Sequence, residues 1–376
     1  MRILILGIDG YLGWPLALRL ADRGHVVGGV DNFSRRDRVA EVGGHSATPI
    51  ARMTDRGALF AAAFGQGLQF FRGDMRHYPF VVNTLRAFRP DCVVHLAEMP
   101  SAPYSMIDAE HAVDTHDNNV NGTINLLFAL RDYFPDCHVL KLGTMGEFGT
   151  PNVDIPEGEF ELEHRGRKAT VQFPRDPGSW YHCTKVHDSV NIRLACKLWE
   201  LRSTDIMQGV VYGVDTPEIE NVGKVVGYEG LQPGTSFTRF DFDAVFGTAI
   251  NRFVAQAIVG HTITLYGDGH QKRGFLPLQD SMQCFTLAIE NPPERGEYRT
   301  LNQFEEVYDL TELAAAVAKA EGSAKVGFRN YCNPRKEAEE HYYNPDHQKL
   351  IDLGYKPGTT MDVELARMFE VLRMFK

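Results

Sequence analysis

Residues 1–14 read MRILILGIDGYLGW, and the fold is decided there. A short apolar run, Ile3 to Leu6, stops at Gly7, and Gly10 and Gly13 follow to make G-x-x-G-x-x-G. Glycines at this spacing permit a tight turn, let backbone N–H groups approach a pyrophosphate, and let the next helix pack closely on the strand. YLGWPLALRLADRG then carries apolar residues at helical spacing. Asp31 ends the following apolar run, HVVGGVD, where a carboxylate accepts hydrogen bonds from the adenosine ribose of a dinucleotide. Arg35 and Arg36 suit a ribose phosphate, but Asp31 repels one, so the stretch predicts NAD rather than NADP.

The same rhythm continues in QFFRGD, CVVHLA, HVLKLG and STDIMQGVVYG, with helical segments such as NVNGTINLLFALRDYF between them. Short apolar strands alternating with helices predict an α/β protein, a Rossmann-type doubly wound parallel sheet. The pattern breaks near residue 212. Residues 215–240, rich in Gly, Pro and polar side chains, read as a long loop. A helix (AVFGTAINRFVAQAIVG) and a strand (TITLYG) follow it. The expected organisation is an NAD-binding domain over 1–210 and a smaller C-terminal α/β substrate lobe over 211–376, interleaved with the first.

The net charge of −10 argues against a nucleic acid partner, since polyphosphate binding needs clustered Lys and Arg. The six cysteines are scattered with no Cys-x-x-Cys pair, which predicts reduced thiols, no metal site and a cytoplasmic address. An N-terminal apolar run of four residues is too short for a membrane span or a signal peptide.

Tyr181 and Lys185, in SWYHCTKVHDS, stand four residues apart and share a face if the segment is helical. With 14 tyrosines in the chain the spacing alone is equally that of a solvated helix face. Thr144, in KLGTMGEFG, adds weight because it ends the fifth predicted strand, where open α/β sheets gather catalytic groups. A phenol acts as a base near neutrality when an ammonium lowers its pKa from about 10. The three side chains predict oxidation of a secondary alcohol.

GIDGYLG, VDNFSRR, GTMGEFG, YHCTK and QGVVYG resemble the extended short-chain dehydrogenase/reductase superfamily. NVNGT, SAPYSMID, KLGTMGEFGTPN, FDFDAVFGTAINRF and EEHYYN resemble its UDP-sulfoquinovose synthase branch. The resemblance implies Tyr181 as base, Lys185 as orienter of the nicotinamide ribose, and Thr144 as their helper, with Glu147, Met145 and His182 as candidates for a second acid or base. It implies NAD contacts at Gly7, Gly10, Tyr11, Leu12, Gly13, Asp31, Asn32, Arg35, Arg36, Asp74, Met75, Leu96, Ala97, Glu98, Asn119, Gln208 and Val211. The nucleoside-diphosphate sugar would meet Ser101, Tyr104, Ser105, Thr144 and Gln208, with Arg239, Thr264, Tyr266, Arg273 and Arg335 toward its diphosphate. A homodimer through the helices over 117–133 and 181–199 follows by the same analogy.

Two departures separate the chain from that branch: the 215–240 loop, which reads as longer and lies where the sugar or base would be enclosed, and the stretch before Ser101. Sulfoquinovose synthases usually run Glu-Gln-Arg before Ser-Ala-Pro-Tyr-Ser-Met, whereas residues 98–105 are EMPSAPYS. Neither the thioether of Met99 nor Pro100 supplies charge for sulfite. On that ground the sequence predicts an NAD-dependent nucleotide-sugar epimerase working through a transient keto-sugar, with sulfoquinovose synthesis or a 4,6-dehydratase-like reaction as the alternative.

Overall fold

The strand before the glycine turn is β1 (Arg2–Leu6), and the turn delivers the chain into helix α1 (Gly13–Asp22). In the computed structural model, residues 1–224, 234–322, 325–331 and 342–376 are described, without the side chains of Tyr266 and residues 328–331. Beyond α1 run β2 (Val26–Asp31), α2 (Ser34–Glu41), α3 (Met53–Phe64), β3 (Gln69–Arg72), α4 (Tyr78–Phe88) and β4 (Cys92–His95). The short α5 (Ala102–Ser105) and α6 (Ala109–His116) follow, and a π-helical turn over Asp117–Asn121 joins α6 to α7 (Gly122–Tyr133). Next come β5 (His138–Thr144), the hairpin β6 (Glu159–His164) and β7 (Arg167–Gln172), the long α8 (Trp180–Trp199), β8 (Arg202–Gln208) and β9 (Val210–Tyr212).

The remainder holds α9 (Pro217–Lys224), α10 (Ala249–Ile258), β10 (Ile263–Tyr266), β11 (Arg273–Pro277), α11 (Leu278–Glu290), β12 (Tyr298–Gln303), β13 (Glu306–Tyr308), α12 (Leu310–Glu321) and β14 (Val326–Tyr331). Two helices, α13 (Gln348–Asp352) and α14 (Met361–Arg373), end the chain. The expected loop over 215–240 is therefore interrupted by α9, whose Ile219 and Val222 bury an apolar stripe; residues 225–233 of it lie outside the described residues. The predicted helix at AVFGTAINRFVAQAIVG begins only at Ala249, where the Thr248 hydroxyl caps it.

Seven parallel strands in the order β12-β8-β5-β4-β1-β2-β3 form the central sheet. The order reverses between β1 and β4, which opens a crevice at the strands' carboxyl ends. Its outermost strand, β12, comes from far beyond residue 210, pairing Tyr298–Gln303 with Ser203–Gln208. A second core gathers β10 and α10, α12 and α14 around Phe253, Leu313 and Leu365. No helix among the described residues is long and apolar enough to cross a membrane.

The two cores are tied together beside the glycine turn. Trp14 of α1 is fully buried and donates from its indole N–H to Ser236 O at 2.8 Å. Arg56 of α3, also fully buried, lies over that ring at 4.9 Å, donates to Phe237 O at 2.9 Å and pairs with Asp9 at 3.0 Å. Burial pushes the Arg56 guanidinium down to about 10, so it remains charged at neutral pH and needs its carboxylate. Asp9 also takes a two-point grip from Arg36 at 2.7 Å. Asp9→Ala strands two cations against the turn, and chemical denaturation is expected to show a loss of about 3–5 kcal/mol; an unchanged midpoint would show that the pairing is dispensable.

Candidate active site

A cavity of about 770 Å³ lies over the crevice, walled by the ends of β1, β2, β4, β5 and β8 and by the segment before α10. Gly7, Gly10, Tyr11, Leu12 and Gly13 form its floor at one end. Gly7 sits at φ 88°, and a Cβ there would stand 2.7 Å from Leu96 O; one on Gly13 would stand 2.3 Å from Gly7 O. The chain can approach itself this closely only without side chains, and the turn leaves the start of α1 open to an anion. The Tyr11 hydroxyl donates to Gly213 O at 2.7 Å, anchoring the turn to the far wall.

Asp31 lines the same end and accepts from the backbone N–H of Asp9 (2.8 Å) and Phe33 (2.7 Å). Both neighbouring arginines are committed elsewhere. Arg35 pairs with Asp241 at 2.7 Å and stacks on Phe246, whereas Arg36 grips Asp9 and does not line the cavity. An acidic ribose site without a disengaged guanidinium fits NAD, in agreement with the sequence. Asn32, Asp74, Met75, Leu96, Ala97 and Glu98 continue the wall, with Asp74 held by Asn32 (3.0 Å) and Arg76 (2.8 Å).

Near the middle, Thr144, Met145, Tyr181, His182, Lys185, Gln208 and Val211 line the cavity together. Ser179 caps α8 by accepting from the His182 N–H at 3.2 Å, and the Ser105 hydroxyl accepts from the Tyr181 N–H at 3.0 Å. The start of α8 is thereby fixed. Lys185 Nζ donates to Leu142 O (2.6 Å), lies 2.5 Å from Glu98 Oε2, and stands 5.8 Å from the centroid of the Tyr181 ring. The Thr144 oxygen accepts from the Gly146 N–H at 3.1 Å, which leaves its O–H to donate.

Several expected contacts fall elsewhere. Glu147 is fully buried and off the cavity, because its carboxylate turns back to the Thr144 N–H (3.4 Å), Lys141 (3.1 Å), Ser189 (3.0 Å) and Arg175. Asn119 does not line the cavity either; it accepts from the Met99 N–H (2.7 Å) and donates to Thr184 (2.9 Å), pinning residues 98–105 to α8. The Tyr104 hydroxyl donates to Glu41 at 2.8 Å, and Ser105 acts through the backbone of Tyr181. Of the expected hydroxyls of that stretch only Ser101 reaches the wall, and it donates to Val245 O at 2.5 Å. Arg239 is buried on Asp241 (3.0 Å) and Thr264 is bonded to Gln256 (2.9 Å), both away from the cavity. Arg273 does line it. The Tyr266 side chain and Arg335 lie outside the described residues.

Sequence reasoning missed Arg38, Arg252 and the wall over Ala244–Ala249. The signal was present, since FDFDAVFGTAINRF contains most of them.

A doubly wound sheet, a glycine turn with an acidic ribose acceptor, and a threonine, tyrosine and lysine on one cavity define a nucleotide-dependent oxidoreductase-type site. The NAD dependent epimerase/dehydratase family model matches residues 3–228, and the chain belongs to that family, in its UDP-sulfoquinovose synthase branch. It is 48% identical to the chloroplastic UDP-sulfoquinovose synthase of Spinacia oleracea, over 100% of this chain and 76% of that one. Identity is 46% with the UDP-sulfoquinovose synthase of Sulfolobus acidocaldarius, over 100% and 93%. Among solved structures, the UDP-glucose 4-epimerase of Thermotoga maritima shares the fold, with a TM-score of 0.72, 18% identity and coverage of 100% and 99%.

The expectation of an epimerase is overturned. A UDP-glucose 4-epimerase matching nearly the whole chain, that of Mycolicibacterium smegmatis, does so at 24%, half the identity of the sulfoquinovose synthases. The physical premise fails for Met99, although Pro100 does line the cavity. Met99 is fully buried against Val39, Tyr104 and Phe246 and does not line the cavity, so its lack of charge says nothing about sulfite.

Burial, then the charge of Asp9, pushes the Asp31 carboxyl up to about 6. Ribose hydroxyls donate to the ionised form, so NAD affinity is expected to fall as pH drops through about 6, by roughly tenfold one unit below it. Calorimetric titration across that range checks this, and Asp31→Asn should bind weakly with no such step.

Proposed function

We propose that this protein converts a UDP-linked hexose and sulfite into a UDP-linked sulfonated sugar, the product its two relatives are named for. The observation that carries the reading is the 48% and 46% identity over the full chain, joined to a cavity on which Thr144, Tyr181 and Lys185 meet. Bound NAD supplies a reversible acceptor for a carbon-bound hydrogen and its electron pair. Tyr181 removes the proton of the sugar hydroxyl, and Thr144 holds that oxygen with its O–H. Lys185 favours the phenolate by its charge and orients the nicotinamide ribose.

Oxidation next to a C–H makes that hydrogen acidic, water leaves, and the sulfur lone pair of hydrogensulfite closes a C–S bond on the resulting alkene. One water departs and one hydrogensulfite enters, and when the carbonyl carbon regains its hydride and Tyr181 returns the proton to the oxygen, the sugar ends at its starting oxidation level apart from the new sulfonate. Arg252, Arg273 and His182 on the cavity wall put cationic or hydrogen-bonding groups near the anions without any help from position 99. Met145 lines the cavity beside Thr144 and shapes the sugar end.

Incubation with UDP-glucose, NAD and sulfite is expected to yield a sulfonated UDP-sugar by mass spectrometry, and Tyr181→Phe to slow it by about 10²–10⁴-fold. Sugar inversion without sulfur incorporation would refute the proposal.

A homodimer is part of the same reading. Val113 of α6, Phe128 of α7, and Val190, Leu194 and Leu198 of α8 are exposed, the last three at i, i+4 and i+8 on one helix face. Paired α7 and α8 helices from two copies would cover this apolar face. Light scattering is expected to give a dimer, and Leu194→Glu with Leu198→Glu a folded monomer; a monomeric parent protein would contradict it.

A further inference from the structure

The chain leaves β4 at His95 and turns at Glu98, whose carboxylate lies 2.5 Å from Lys185 Nζ and 3.8 Å from His95 Nε2. His95 Nε2 is also 3.1 Å from the Thr123 hydroxyl of α7. Thr123 in turn faces Asp188, which follows Lys185 on α8 by about one turn. All five side chains are almost wholly buried, Glu98 and Lys185 at the cavity wall, and neither carboxyl oxygen of Asp188 has a hydrogen bond of good geometry among the described residues. The charged groups facing this cluster are Lys185 and Lys141, the latter from β5.

Lys141 is already shared by Glu147 and Asp205, so the carboxyls outnumber the cations. Burial, then the charge of Glu98, pushes Asp188 well above the usual carboxylate range. Burial lowers His95 to about 4, leaving a neutral ring that accepts at one nitrogen and donates at the other.

We propose that Glu98 is a positioning residue beside the catalytic Tyr181 and Lys185, one that tempers the charge of Lys185 and so sets how readily Tyr181 ionises. The inference rests on the proposed role of Tyr181 as base. That role has two halves, taking a proton when the sugar is oxidised and returning it when the sugar is reduced. An unopposed ammonium favours the first and slows the second. A carboxylate 2.5 Å from that ammonium restores the balance.

Glu98→Gln keeps the shape and removes the charge. In ultraviolet titration of the protein without substrate, the difference between Glu98→Gln and its Tyr181→Phe counterpart is expected to show the phenol ionising roughly one pH unit lower than the same difference in the parent background. The acid limb of the pH–rate profile should move the same way. A phenol ionisation unmoved in Glu98→Gln overturns the proposal. If Glu98→Gln does not fold, Glu98→Asp, which withdraws the charge from Lys185, should give a smaller shift in the same direction, and none there is equally fatal. The ultraviolet titration uses no sugar or sulfite, so loss of the proposed reaction and loss of this role of Glu98 are told apart.

Discussion

One buried ammonium holds the proposed catalytic face in register. Lys141, in the middle of β5 and fully buried, donates to Ser189 Oγ (2.7 Å), Lys185 O (2.9 Å) and Glu147 (3.1 Å) and lies 3.4 Å from Asp205. These partners belong to α8, to the turn after β5 and to β8. Against the upward push of burial, Lys141 and Arg175 hold Asp205 below the usual carboxylate range, and the Tyr298 hydroxyl of β12 donates to it at 2.5 Å. A charge this deep is expensive to desolvate, and the cluster is stable only because its charges answer one another. Geometry is the return: Thr144 ends the strand that carries Lys141, and Tyr181 and Lys185 stand on the helix its ammonium clamps.

The division of labour among the acids follows from this. Glu147 is absorbed into the clamp, so it shapes the Thr144 turn and does not line the cavity. Glu98, which does line the cavity, opposes Lys185 directly. Residues 98–105 therefore act as a bracket. Asn119 holds the Met99 backbone at both its N–H and C=O, Ser105 holds the Tyr181 N–H, and Met99 fills a small apolar cluster behind them.

The parallel sheet, the glycine turn and the tyrosine–lysine helix were legible in the sequence because each rests on local periodicity or close spacing. β12 was hidden, since pairing across some ninety residues leaves no local mark. Glu147 shows a signal present but unread: Thr144-Met-Gly-Glu147 has the spacing of a capping box, which turns the glutamate back onto the strand end. Lys141, a lone cation inside the apolar run HVLKLG, similarly announced a buried counter-charge. Met99 misled because position in a motif does not fix which way a side chain points, and here it points into the core. Arg239 misled for a related reason: a carboxylate two residues away, Asp241, claims it.

The placing of Tyr181 depends on Lys141 acting through their shared helix contact, and a double-mutant cycle measures that directly. Lys141→Met, Tyr181→Phe and the double variant are compared by kcat/KM for the sulfonated product. If the clamp works by placing Tyr181, the double variant will be about as slow as Tyr181→Phe alone. Losses that multiply as independent factors would contradict the account.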